Sequence, residues 1–165
     1  FASAAPCRSE NSALRVSEFT PFHTEPAAGP EPRALGNAPM SDPQKMAAAV
    51  ETYLASFEKR DHNAVADLFA EQCTVEDPIG SPIHNGREAV REFYKMAMAN
   101  GAKLTLEGQI RVVPPYAAFA FNVAVPGPDG NIVMRVNVID TFKFNDDNKV
   151  VEMRAYWGPT NMQTA

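Results

Sequence analysis

Val136-Asn137-Val138-Ile139-Asp140-Thr141-Phe142-Lys143-Phe144 alternates with a period of two, placing Val136, Val138, Asp140, Phe142 and Phe144 on one strand face and Asn137, Thr141 and Lys143 on the other. Asp140 therefore points into the apolar side. A carboxylate held there loses its hydration, so it must be paired, or its pKa must rise until it is neutral and can donate a hydrogen bond. A second aspartate repeats the parity. In Cys73-Thr74-Val75-Glu76-Asp77-Pro78-Ile79, a strand reading aligns Cys73, Val75, Asp77 and Ile79, with Glu76 opposite. Two acids on apolar faces of one small domain cost stability, which favours a chemical use for them.

The stretch belongs to a run of strands. From Lys103 onward every segment reads as extended: Leu104 to Val113, Ala117 to Val125, Ile132 to Phe144 and Val150 to Trp157. The links between them, Pro114-Pro115, Pro126 to Gly130 and Asn145 to Asn148, are short enough for hairpins, so an antiparallel meander is expected. Helical spacing precedes it. Asp42 and Pro43 suit a helix start, and Met46, Ala49, Val50, Tyr53, Leu54 and Phe57 form its inward stripe. Asp61 caps a short second helix with Val65, Leu68 and Phe69 inward, and a third helix from about Gly86 buries Ala89, Val90, Phe93, Tyr94 and Ala97 before stopping at Asn100-Gly101. Helices first and strands afterwards imply an α+β domain, with the three helices on one face of a curved sheet whose open end makes a pocket.

The 165 residues, 45% of them apolar, suffice for one substantial core and one domain. A net charge of −5 and the lack of a basic run interleaved with aromatics argue against a nucleic-acid partner. Cys7 and Cys73 form no disulfide framework. His23, His62 and His84 lack metal-site spacing, so no metal is expected. The glycine-rich phosphate loops and the Gly-x-Ser-x-Gly nucleophile motif are missing, and no apolar run is long enough to span a bilayer. The expected location is the cytoplasm.

Residues 1–39 carry Pro6, Pro21, Pro26, Pro30, Pro32 and Pro39 without periodicity, which reads as a flexible leader outside the fold. Met40 reads as a natural initiator, so the domain is expected to occupy residues 40–165.

Several motifs in order carry a resemblance: Val50-Glu51-Thr52-Tyr53, Thr74-Val75-Glu76-Asp77-Pro78-Ile79-Gly80, Arg91-Glu92-Phe93-Tyr94, Ala117-Ala118-Phe119-Ala120-Phe121, Ile139-Asp140 and Met153-Arg154-Ala155-Tyr156-Trp157. From Met46 onward the chain resembles the ketosteroid isomerases, the steroid Δ5-isomerase branch of the NTF2-like superfamily. The resemblance implies an NTF2-like cone and a cofactor-free enzyme that moves a C=C bond in a 3-oxosteroid. It implies Asp77 as general base, Tyr53 and a protonated Asp140 as donors to the ketone oxygen, and Tyr94 as a buttress for Tyr53. The neutral aspartate is the established example of this family, so its logic is inherited by resemblance. Holding an Asp neutral at pH 7 costs the ionised form on the order of 4 kcal/mol, which needs a dry pocket without cations. Val125, Phe119, Phe121, Phe142, Met153 and Trp157 are the expected steroid contacts, and the implied assembly is a homodimer paired through the sheet.

Read without the resemblance, Tyr53 is an ordinary core tyrosine and Asp77 a turn residue before proline. Asp140 then accepts backbone N–H bonds or pairs with Arg111, Arg135 or Arg154. Two other functions stay open: a SnoaL-like cyclase or dehydratase acting on another ring substrate, and a non-catalytic carrier of hydrophobic ligands.

Overall fold

The computed structural model describes residues 41–164, so the expected leader lies outside the described residues. Helix α1 (Pro43–Lys59) starts where Asp42 accepts a hydrogen bond from the Gln44 N–H at 2.8 Å, and it ends at Arg60 in the left-handed conformation. Ser41 donates to the Asn145 carbonyl at 3.1 Å, which ties the first residues of the domain to a turn of the sheet. Helix α2 (His62–Ala66) is capped by Asp61, whose side chain accepts from the Ala64 N–H at 2.9 Å. Helix α3 (Arg87–Ala97) follows Gly86, at φ +84°, a conformation that favours glycine.

The strands are β1 (Phe69–Glu76), β2 (His84–Asn85), β3 (Lys103–Val113), β4 (Tyr116–Pro126), β5 (Ile132–Phe144), β6 (Val150–Tyr156) and β7 (Met162–Thr164). They form one sheet in the order β2-β1-β6-β5-β4-β3, with β7 beside the early part of β5. The meander β3 to β6 is antiparallel throughout, as its hairpin links require. Three helices against a mainly antiparallel, curved and open sheet give the expected α+β cone.

Two local readings are corrected. Phe69 is buried, but it opens β1 instead of closing α2, which stops at Ala66. Strand β1 ends at Glu76, so Asp77 stands just past it. Ile79 is 45% exposed and shares no apolar face with Asp77, because Pro78 has no N–H to continue the ladder. Strand β1 joins β6 in parallel, a long-range pairing outside the meander on which the sequence is silent.

The core lies between helices and sheet. Tyr53 and Tyr94 from the helices meet Phe69, Phe119 and Phe142 from the strands, all fully or nearly fully buried. Their rings pack mainly edge-on, Tyr53 lying 5.3 Å from Phe142 and 5.9 Å from Phe119. Each such aromatic contributes about 1.5–3 kcal/mol by burial. The five inward positions from Val136 to Phe144 are all buried, so the alternation sets the strand's orientation as expected.

Candidate active site

Strand register brings the two aspartates together. Asp140 pairs with Phe119 on β4 and with Ala155 on β6. On the other side of β6, Glu76 lies opposite Arg154, so the next residue, Asp77, falls beside Ala155, whose carbonyl accepts the Ile79 N–H at 2.9 Å. Asp77 and Asp140 thus flank one strand, two strand spacings or about 10 Å apart across the sheet. The residue between them has only a methyl side chain. Tyr53 and Tyr94 descend onto this rung from α1 and α3, their ring centroids 5.7 Å apart and their planes at 79°.

Asp140 is completely buried, and neither of its oxygens has a hydrogen-bond partner among the described residues. The pairing alternatives therefore fail. Arg111 donates to the Gln109 carbonyl at 2.8 Å, Arg135 to Asn122 at 3.3 Å, and Arg154 sits with Glu152 at 3.4 Å and Glu76 at 4.0 Å. Burial first, and the charge of Asp77 second, push the Asp140 carboxyl well above the usual range, with the Tyr53 hydroxyl the opposing influence. The shift favours the uncharged form of this carboxyl.

Asp77 is half-buried and differently served. The Trp157 indole N–H donates to its Oδ1 at 2.6 Å. Burial raises its pKa, while the Trp157 hydrogen bond and the charge of His84 pull it down. These opposed influences suit a base, since the carboxylate is retained but made more basic than in water. Tyr53 and Tyr94 are both raised well above the usual phenol value, chiefly by burial and then by neighbours including both aspartates, so each stays a neutral donor. The Tyr94 hydroxyl also lacks a partner. Buried polar groups are normally satisfied, and three unpaired atoms beside one half-buried carboxylate make this place the candidate site.

A hollow opens onto the rung. It has ≈ 190 Å³ of room for water-sized groups and ≈ 680 Å³ of empty space when its open mouth is counted. Tyr53, Asp77, Tyr94 and Trp157 line it, and its walls are apolar residues such as Phe121, Val123 and Val125. Of the expected contacts, Val125, Phe121 and Trp157 reach it. Phe119, Phe142 and Met153 do not: they are core residues behind the wall, at most 1% exposed. Alternation marks a residue as inward, but helix packing decides whether it meets a cavity or another side chain. Asp140 likewise lies behind the wall, so a ligand oxygen has to reach the depth of the Tyr53 hydroxyl to meet it.

The sequence marks Trp157 only as an apolar contact, Ala97 only as an inward helix position and Asn100 only as a helix stop, and it leaves Met134 unnamed, yet all four line the hollow. The inward parity of Met134 was legible. The Trp157 hydrogen bond joins residues 80 positions apart and left no local signal. Trp157→Phe keeps the ring but removes the donor. Since a hydrogen bond to a charged group is worth about 1.5–3 kcal/mol, the Asp77 titration followed by carboxyl ¹³C NMR is expected to move upward by roughly one pH unit or more. An unmoved titration would show that the indole does not hold the carboxylate.

Comparison with known proteins identifies the family. The chain is 40% identical over 116 residues to a steroid Delta-isomerase of Nocardioides simplex, spanning 70% of this chain and 91% of the relative. Among solved structures it is similar to SalBIII, an epoxide hydrolase/cyclase-like enzyme with a role in pyran ring formation in polyether salinomycin, at TM-score 0.68 and 25% identity. That likeness covers 75% of this chain and 98% of SalBIII. The model of the SnoaL-like domain matches residues 50–153, more than half of the sequence, and the chain belongs to this SnoaL-like family with its NTF2-like fold.

Proposed function

We propose that this chain is an intramolecular isomerase that converts a β,γ-unsaturated 3-oxosteroid into its α,β-unsaturated, conjugated isomer. The observation that carries the reading is a pair of acids in contrasting settings. Asp77 is half-buried, lines the hollow and accepts the Trp157 N–H, while Asp140 is fully buried, has no hydrogen-bond partner among the described residues and is pushed towards its uncharged form by burial. The 40% identity to a steroid Delta-isomerase supports the substrate class.

In this mechanism the Asp77 carboxylate removes a proton from the carbon between the ketone and the C=C bond. The released electron pair moves into a dienolate, and the ketone oxygen takes up the negative charge. Tyr53 donates a hydrogen bond to that oxygen at the floor of the hollow. Asp140 is assigned the second bond, its O–H having no competing acceptor. The Asp77 carboxylic acid then returns the proton to the γ-carbon, which places the C=C bond in conjugation and restores the carboxylate. Donors already fixed where charge develops need no reorganisation, and each is typically worth about a hundred- to a thousandfold in rate.

The test is to mix the protein with an unconjugated 3-oxosteroid and follow the ultraviolet band of the conjugated enone. Its appearance faster than buffer-catalysed isomerisation is the expected result. Silence at high protein concentration would remove the isomerase reading and turn attention to ring-forming chemistry, which the likeness to SalBIII favours as the second reading.

A further inference from the structure

The hollow has a second polar end. The Asp140 rung holds Tyr53, Asp77, Tyr94 and Trp157, and beyond it the facing β4 and β5 positions Phe121–Val138 and Val123–Val136 carry no hydrogen-bonding side chain. Six residues along β4 from that rung, about 20 Å at 3.4 Å per residue, Val125 faces Met134. This is long enough for a four-ring skeleton laid along the strands. Asn100 stands at this far end, because it lies in the turn that leads into β3, whose Lys103 pairs with Ala124. Among the described residues it is the polar side chain lining the hollow away from the acid rung.

The orientation of its amide is settled locally. Asn100 Oδ1 accepts the Ala102 N–H at 3.1 Å, and Gly101, at φ +75°, lets the chain fold back to make that contact. One of the two acceptor sites of that oxygen is thereby used. Asn100 is an exposed residue at the mouth of the hollow, and its Nδ2 group makes no hydrogen bond among the described residues, so both donor hydrogens are open to solvent or to a ligand beside the apolar wall.

We infer that Asn100 is a specificity-determining residue, whose amide donates to an acceptor oxygen at the end of the substrate remote from the enolising ketone. The preferred substrate is then oxygenated at both ends. This rests on the isomerase reading and adds to it: the acid rung chooses the ketone, and Asn100 chooses what the opposite ring carries. A contact so far from the reacting carbons changes little between ground and transition states, so it lowers KM and leaves kcat alone.

The experiment uses two unconjugated 3-oxosteroids that differ only in carrying a carbonyl or two hydrogens on the terminal five-membered ring. They are assayed with the wild type, Asn100→Asp and Asn100→Ala. The aspartate keeps the acceptor for the Ala102 N–H and loses the donor, so it separates substrate recognition from turn formation. The wild type is expected to prefer the oxygenated substrate by about 2- to 10-fold in kcat/KM, through KM. Both variants are expected to lose the preference while turning over the deoxygenated substrate within twofold of wild type. An equal loss on both substrates, or a preference that survives in Asn100→Asp, would overturn the inference. The conjugated products, titrated by fluorescence of the chain's sole tryptophan, Trp157 in the cavity wall, give a readout independent of catalysis. If the wild type isomerises neither steroid, the isomerase reading fails. A loss of discrimination in product binding by Asn100→Asp would still support the role of Asn100, and unchanged binding would refute it.

Discussion

Asp77→Ala is expected to lower kcat/KM for an unconjugated 3-oxosteroid by roughly 10²–10⁴-fold, about 2.7–5.4 kcal/mol of transition-state stabilisation. In the proposed reaction the same carboxylate takes a proton from one carbon and delivers it to another. A water molecule in its place would have to be immobilised, and it is a far weaker base. Binding of a phenolic steroid, whose hydroxyl mimics the dienolate oxygen, is expected to change no more than a few-fold, because the oxygen meets Tyr53 and Asp140 and not Asp77. Tyr53→Phe is the contrast, since it removes a donor to that oxygen and should weaken both turnover and phenol binding. Asp77→Asn controls for structure: its amide oxygen can still accept the Trp157 N–H while offering no base. If Asp77→Asn retains near-normal turnover, another group is the base.

The features legible in the sequence are those written in local periodicity. Asp140 was readable because its neighbours at every second position are apolar, and in the structure all of those positions are buried. The caps at Asp42 and Asp61 were readable because each needs only the next three residues. What escaped is long-range. Val65, Leu68 and Phe69 fit helical spacing, and a short apolar run does not tell helix end from strand start, so the pairing of Phe69 with Val150 was needed to settle it. Strand β7 is three exposed residues, and it exists because the early part of β5 extends past β6 and leaves an edge to pair with. The site divides in the same way. The inward parity of Asp140 belonged to one strand, but its meeting with Asp77 depends on β1 joining β6 in parallel across Ala155. Which inward residues meet the hollow depends on how α1 and α3 sit over the sheet, and no single strand encodes that.

Asp140 carries the other large effect, and it is a dependence of stability on pH. Burial and the nearby Asp77 raise its pKa in the folded state above the unfolded value of about 3.9. The fold therefore binds the protonated form more tightly. The sign follows: its contribution to stability is fully present below the unfolded pKa and is lost as pH rises towards and through the folded pKa. Across that window the folded protein holds one more proton than the unfolded chain, so the contribution falls by about 1.4 kcal/mol per pH unit. Asp140→Asn has nothing to titrate there. Urea denaturation of both proteins at pH 5, 6 and 7 is expected to show wild-type stability declining relative to the variant by that slope, while the other carboxyls, Asp77 included, cancel because both proteins keep them. A flat difference would mean that Asp140 is ionised in the fold, and it could then donate no hydrogen bond to an oxyanion. Activity gives the complementary result. Asparagine retains an uncharged N–H donor, so Asp140→Asn should be milder than Asp140→Ala or Asp140→Leu, which are expected to lose roughly 10²–10³-fold. Both outcomes together would place the value of Asp140 in the proton it shares with substrate in the proposed reaction, and not in the structure it supports.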